Sequence, residues 1–158
     1  AFSISTWCFI TDATGYVIAD KYQNSTSDGE YYFYSSSDKI YFILFDESVP
    51  AWNWIQTNAS VVSAVQGKWT NIVGTYDGRG GNSANDGLTL YINGAVVATT
   101  KAIWGTYVAM ENTSKTLQIH RFDNYHYAGK MATFSIHAKE LSAAEVLHNY
   151  LALKDRFV

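Results

Sequence analysis

Leu88, Leu90 and Ile92 alternate with Thr89 and Tyr91, and Asn93-Gly94 follows at once. No other stretch narrows the fold as sharply. Apolar side chains at every second position mark a half-buried strand. A two-residue type I′ turn needs positive φ at both central residues, and Asn and Gly tolerate it. The segment therefore predicts a β-hairpin, with Ala95 to Thr100 returning. A lone hairpin is only marginally stable, so it needs neighbouring strands.

The rest of the chain supplies them. Phe2 to Ser5 alternates and runs into Thr6-Trp7-Cys8-Phe9-Ile10, which is apolar on both faces. Tyr16 to Lys21 reads as a short strand, and Gln23 to Gly29 as a polar loop. Glu30 to Tyr34 and Lys39 to Asp46 predict a hairpin across Ser35-Ser36-Ser37-Asp38. Trp52 to Gln56 is a short aromatic segment after Pro50. Lys68 to Tyr76, Thr116 to Arg121 and Lys130 to His137 complete the strands. Asp77 to Gly87, rich in Gly, Asn and Asp, reads as a long flexible loop. Ser142 followed by Glu145 is a capping box, and Val146, Leu147, Tyr150, Leu151 and Leu153 follow at helical spacing. The expected fold is all-β: an antiparallel jelly-roll β-sandwich with one short C-terminal helix. The expected organisation is one domain over residues 1–158.

Composition removes several function classes. Charged residues are only 16% of the chain and the net charge is −3, so there is no clustered basic face to grip nucleic acid. No apolar run approaches the roughly 20 residues of a membrane span. A single cysteine, Cys8, allows neither an internal disulfide nor a thiolate metal cluster, and reads as a small buried hydrophobe. The sequons at Asn24, Asn58 and Asn112 suit surface loops of a secreted chain.

Five segments, in order, resemble the concanavalin A-like lectin/glucanase superfamily in its laminin-G form, and more distantly the pentraxins. They are Phe2-Ser3-Ile4-Ser5-Thr6-Trp7, then Gly67-Lys68-Trp69-Thr70-Asn71-Ile72-Val73-Gly74-Thr75-Tyr76-Asp77-Gly78, then Leu88 to Gly94. Gly129-Lys130-Met131 with Phe134-Ser135-Ile136 comes next, and Ala138 to Val146 closes the series. The resemblance implies the sandwich and a secreted or surface-displayed module of a larger protein. The chain departs from relatives in two ways. Many carry another strand before the Phe2 segment, and an acidic pair where this chain has Ala132 and Thr133.

Paired carboxylates for glycoside hydrolysis must face each other across the substrate. Asp46 and Glu47 are adjacent, so on a strand they point to opposite faces, while Glu111, Glu140 and Glu145 lie in a loop, a turn and a helix. His120, His126, His137 and His148 occur without a nucleophile-elbow motif. The expectation is a module without catalysis.

The pentraxin and laminin-G resemblance implies a rim calcium held by Asp28 on one loop and by Asp123 with Asn124 on another. The same residues are also ordinary turn formers. Sugar binding needs aromatic rings for the apolar pyranose faces and planar polar groups for the hydroxyls. The candidates are Trp52 and Trp54, then Trp104 and Tyr107, then Arg121, Tyr125 and His126. Trp7 and Trp69 are expected in the core. Tyr31 to Tyr34 and Tyr41 to Phe45 are expected to split between the core and a concave outer sheet face that can also hold sugar. The reading is a non-catalytic carbohydrate-binding module. The alternative is a protein-interaction or structural laminin-G-like domain of a surface or virion protein, including one that self-associates.

Overall fold

Tight turns with left-handed backbone join the hairpins where the sequence places them. Asn93 and Gly94 have φ of 51° and 80°, and Ser37 and Asp38 have 49° and 64°. Both pairs meet the type I′ requirement. The computed structural model of the protein describes residues 1–12, 15–23, 28–48, 53–122 and 125–158, with only the backbone at 23, 28, 53, 55, 62, 125 and 126.

The chain runs through β1 (Phe2–Ile10), β2 (Gly15–Gln23), β3 (Asp28–Ser36), β4 (Lys39–Asp46) and β5 (Asn53–Ala59). A single helical turn, α1 (Val62–Val65), leads to β6 (Trp69–Tyr76), β7 (Leu88–Ile92), β8 (Ala95–Val96) and β9 (Thr100–Trp104). Short pieces follow, β10 (Gln118–Ile119), β11 (Arg121–Phe122) and β12 (Tyr125–His126), before the long β13 (Gly129–His137) and α2 (Ala143–Leu153). A five-stranded sheet has the order β13-β1-β6-β7-β8, and a six-stranded sheet the order β10-β2-β3-β4-β5-β9. Among the described residues every strand pairing is antiparallel. The two sheets form the predicted jelly-roll sandwich.

Alternation decides what fills the space between them. Phe2, Ile4, Cys8 and Ile10 of β1 meet Phe33, Ile40, Phe42 and Leu44 of the opposite sheet in one core. Cys8 is fully buried, as expected, and burial pushes its thiol up to about 12. The outward residues of β1 are not in water. Trp7 stacks on Tyr150 at 5.6 Å and on Phe157 at 4.5 Å, and is 1% exposed. Thus Trp7 is buried beneath the C-terminal helix, outside the main core. Trp69 also lies on this outer side, against Phe9 and Phe157, and stays partly exposed. Val73 and Tyr91 pack beside them against Leu141 and Val146. The capping box of α2 is present: the Ser142 hydroxyl accepts from Glu145 N–H, and the Glu145 carboxylate accepts from Ser142 N–H.

Two sequence expectations change. Gly81–Gly87 is a 3₁₀ helix with Ala84 buried, so the Asp77 to Gly87 segment is a built connection. The Thr116 to Arg121 strand is broken at His120, whose φ of 57° separates β10 from β11. The segment ending in Trp104 is strand β9, hydrogen-bonded to β5.

Candidate functional site

The six-stranded sheet has a second row of side chains pointing away from the core. In β3, Tyr31 and Phe33 enter the core while Tyr32 and Tyr34 belong to a separate cluster. In β4, Ile40, Phe42 and Leu44 enter the core while Tyr41, Ile43 and Phe45 join that same cluster. Tyr22, Trp54 and Phe122 complete it. The expected split of the tyrosine segments between two faces holds.

The rings form a nearly parallel array. Tyr32 lies on Tyr34 at 4.0 Å and 12°, and Tyr34 on Tyr41 at 5.0 Å and 14°. Phe122 of β11 covers Tyr32 at 5.0 Å. Tyr22 lies on Phe45 at 4.2 Å and 6°, although β3 runs between their strands. Gly29 makes this possible: a Cβ there would meet Cδ2 of Tyr22 at 2.4 Å. Trp54 opposes Trp104 in the β5–β9 ladder, their rings 6.4 Å apart at 13°. Trp104 is 63% exposed, whereas Tyr22 and Phe45 at 6% and 5% form the floor.

Polar groups share the face. Gln56 opposes Ile43 and Asn58 opposes Tyr41, so both stand among the rings. Asp20 opposes Tyr32, is fully buried, and accepts the Tyr22 N–H at 2.7 Å. Burial, then the neighbouring Tyr41, pushes the Tyr34 phenol up to about 12. Tyr32 is raised by burial and then by Tyr127, Tyr34 and Asp20. These hydroxyls stay protonated at neutral pH and can donate.

The sequence-predicted residues divide. Trp54 and Trp104 come together on this face, and Arg121 lies on β11 next to Phe122. Tyr107 does not join them. It is fully buried in the main core, and burial, then Tyr76, pushes its phenol up. No surface sugar can reach it, so Tyr107 is removed from the site. The side chains of Tyr125 and His126, and Trp52 altogether, lie outside the described residues. Tyr22 and Gln56 are not among the predicted site residues, whereas Tyr34 and Tyr41 belong to the segments expected to present an outer sheet face for sugar. Period-2 alternation signals the two β-hairpin tyrosines, but no local signal marks Tyr22.

Asp46, Glu30 and Glu111 hold the frame. Asp46, 1% exposed, accepts from Val108 N–H at 2.5 Å and Ser48 N–H at 3.0 Å. Burial raises its pKa, but the hydrogen bonds from Ser48, Val108 and Ala109 outweigh burial and hold it below the usual range. Glu47 and Glu111 meet through the Glu47 N–H at 2.6 Å, and Glu30 takes Thr113 N–H at 2.6 Å and pairs with Lys21. Among the described residues, no three His, Cys, Asp or Glu gather as a metal site. The side chain of Asp28, and Asp123 and Asn124, lie outside those residues. Of the sequons, Asn112 is exposed and Asn58 is buried at 6%, which excludes Asn58 as an acceptor in the folded state.

The protein is thus an antiparallel jelly roll with α2 over part of one outer face and aromatic rings across the other. The chain belongs to the family described as the concanavalin A-like lectin/glucanases superfamily, in its laminin-G form, which matches residues 1–147. No curated protein matches it in sequence. Among solved structures it is similar to the botulinum neurotoxin serotype D binding domain, at 18% identity and TM-score 0.63, covering 96% of this chain and 35% of that one. It is also similar to the botulinum neurotoxin type G receptor-binding domain, at 20% identity and TM-score 0.57, covering 96% and 38%. A third is the serotype D ligand-binding domain in complex with N-acetylneuraminic acid, at 16% identity and TM-score 0.57, covering 96% and 36%. The chain spans little more than a third of each of these structures. At such identities the likeness is one of fold.

Proposed function

We propose that this chain is a non-catalytic carbohydrate-binding module, and that the outer face of the six-stranded sheet is its binding surface. One observation carries the reading. The aromatic centre of the outer face of the five-stranded sheet, around Trp7, is covered by α2, whereas the opposite face keeps Tyr32, Tyr34, Tyr41 and Trp54 partly exposed and Trp104 mostly exposed. Large aromatic patches on a surface mark binding sites. Pyranose C–H faces stack on such rings, while Gln56, Arg121 and the tyrosine hydroxyls take the sugar hydroxyls. The structural tasks of Asp46, Glu30 and Glu111 support the non-catalytic reading. A secreted or surface-displayed setting belongs to it.

Calorimetric titration with soluble glucans, mannans and galactans tests the proposal. Binding is expected, and Trp104→Ala should weaken it on the order of tenfold, about 1.4 kcal/mol. Absence of binding across the panel refutes the reading. A calcium ion at Asp28, Asp123 and Asn124 is a separate proposal; titration in chelator should then weaken binding, and unchanged affinity removes it.

A second reading rests on different residues. Leu147 and Leu151, one helical turn apart on α2, are 45% and 47% exposed, which favours a protein partner or self-association at that face. Light scattering of the isolated chain would show an oligomer under this reading and a monomer under the first.

A further inference from the structure

We infer that Tyr34 and Tyr41 hold saccharide through their hydroxyls and ring edges rather than their ring faces, and that stacking is left to Trp104 at the edge of the sheet. The inference rests on the carbohydrate reading above and names the groups that decide specificity within it. The tyrosine rings stand too close together for a sugar to reach their faces. Tyr34 has Tyr32 at 4.0 Å and 12°, and Tyr41 at 5.0 Å and 14°. Tyr41 is flanked in the ladder by Tyr34 of β3 and Asn58 of β5. Tyr32 has Phe122 at 5.0 Å as a further neighbour. The column continues through Tyr22, which is 6.0 Å from Tyr32 and 4.2 Å from Phe45. A pyranose between two rings needs a carbon contact of roughly 3.5–4.0 Å on each side, so about 7–8 Å in all. No spacing in this column reaches that value.

The rings project from one sheet face, so nearly parallel neighbours stack along the sheet and each ring stands on edge. What Tyr34 and Tyr41 expose is therefore a ring edge and a hydroxyl. The edge is the electropositive part of the aromatic quadrupole, and the O–H donates. Both attract the oxygens of a sugar rather than its C–H faces. The Tyr32 hydroxyl meets Tyr127, which leaves this task to Tyr34 and Tyr41. Gln56, opposite Ile43 on β5, extends the polar row. Trp104 differs from the tyrosines. It lies on β9, an outermost strand, with Trp54 at 6.4 Å, and it is 63% exposed. A ring so exposed keeps one face bare, and a pyranose C–H face can lie on it. The ligand class is thus a hydroxyl-rich saccharide chain that lays one ring on Trp104 and turns its oxygens to the tyrosines.

The test takes the tightest-binding soluble polysaccharide among glucans, mannans and galactans. It is titrated calorimetrically into wild type, Tyr34→Phe, Tyr41→Phe and Trp104→Ala. Phenylalanine keeps the ring and its stack but deletes the hydroxyl, so binding to ring faces would not change. Each phenylalanine substitution should weaken binding about five- to tenfold, the loss of one hydrogen bond. Trp104→Ala should weaken it on the order of tenfold. Unchanged circular dichroism and unfolding temperature check that all three variants fold. Wild-type affinity in either phenylalanine variant, or in Trp104→Ala, overturns the inference and leaves the carbohydrate reading intact. No binding of any polysaccharide by wild type refutes both.

Discussion

The stack of Tyr22 on Phe45 crosses a strand only because position 29 has no side chain, and Gly29→Ala tests that dependence. The added Cβ would lie 2.4 Å from Cδ2 of Tyr22, 3.3 Å from Cγ and 3.4 Å from Cβ. Cδ2 carries the severe overlap and Cγ is tight, while Cβ sits at ordinary van der Waals distance, so it is the ring that must move. The ring must leave Phe45, or β3 must shift. Overpacking of this kind costs about 1–3 kcal/mol. Loss of the stacked pair adds about 0.5–1.5 kcal/mol. The expected destabilisation is roughly 2–4 kcal/mol, or about 5–15 °C in Tm for a chain of this size. Urea unfolding monitored by fluorescence measures it. The decisive comparison uses Tyr22→Ala as the background, where the new methyl group has room. There, Gly29→Ala should cost less than about 1 kcal/mol, giving a coupling near 2 kcal/mol. A coupling under about 0.5 kcal/mol would show that Gly29 does not shape the platform.

Two further perturbations probe the frame. Asp46→Asn removes the charge that holds Val108 N–H and Ser48 at the end of β4. It should lower the unfolding free energy by about 2–3 kcal/mol, and an unchanged urea midpoint would contradict that role. The Glu145 carboxyl is held down at about 2, from an ordinary value of 4.5, first by Lys139 and then by Ser142. A depressed acid stabilises the fold above its unfolded value, and the contribution disappears as pH falls from 4.5 to about 2. The stability difference between wild type and Glu145→Gln should therefore be full at neutral pH and shrink across that window. A difference constant with pH would refute the capping account.

Much of the fold is legible because its signals are local. Asn93-Gly94 dictates its own backbone, and Ser142 with Glu145 caps α2 from within four consecutive residues. The site is only half legible. Alternation in β3 and β4 announces two faces, but Tyr31, Phe33 and Phe42 on one are as aromatic as Tyr32, Tyr34 and Tyr41 on the other. Thr100-Lys101-Ala102-Ile103-Trp104 has no clear period, so strand β9 and the pairing of Trp104 with Trp54 emerge only from the long-range β5 ladder. Tyr107 is misread for the same reason. It follows an exposed Trp104 in an irregular segment, yet that segment is tied back by Asp46 and sends Tyr107 into the core.

Which sheet face stays open follows from what the rings carry. The outer face of the five-stranded sheet offers Trp7, Trp69, Val73 and Tyr91 as a bed, and α2 with Phe157 buries it. An apolar helix laid over this face would also have to satisfy the hydroxyls of Tyr34 and Tyr41 and the amide of Gln56 away from water. Each left unpaired would cost about 1–3 kcal/mol, offsetting much of the gain from burying the rings. A sugar resolves the conflict that a helix cannot, because it supplies apolar C–H faces for the rings and hydroxyls for those same polar groups. The alternation that builds the sandwich thus also leaves its outer tyrosine face better suited to a hydroxylated ligand than to further chain.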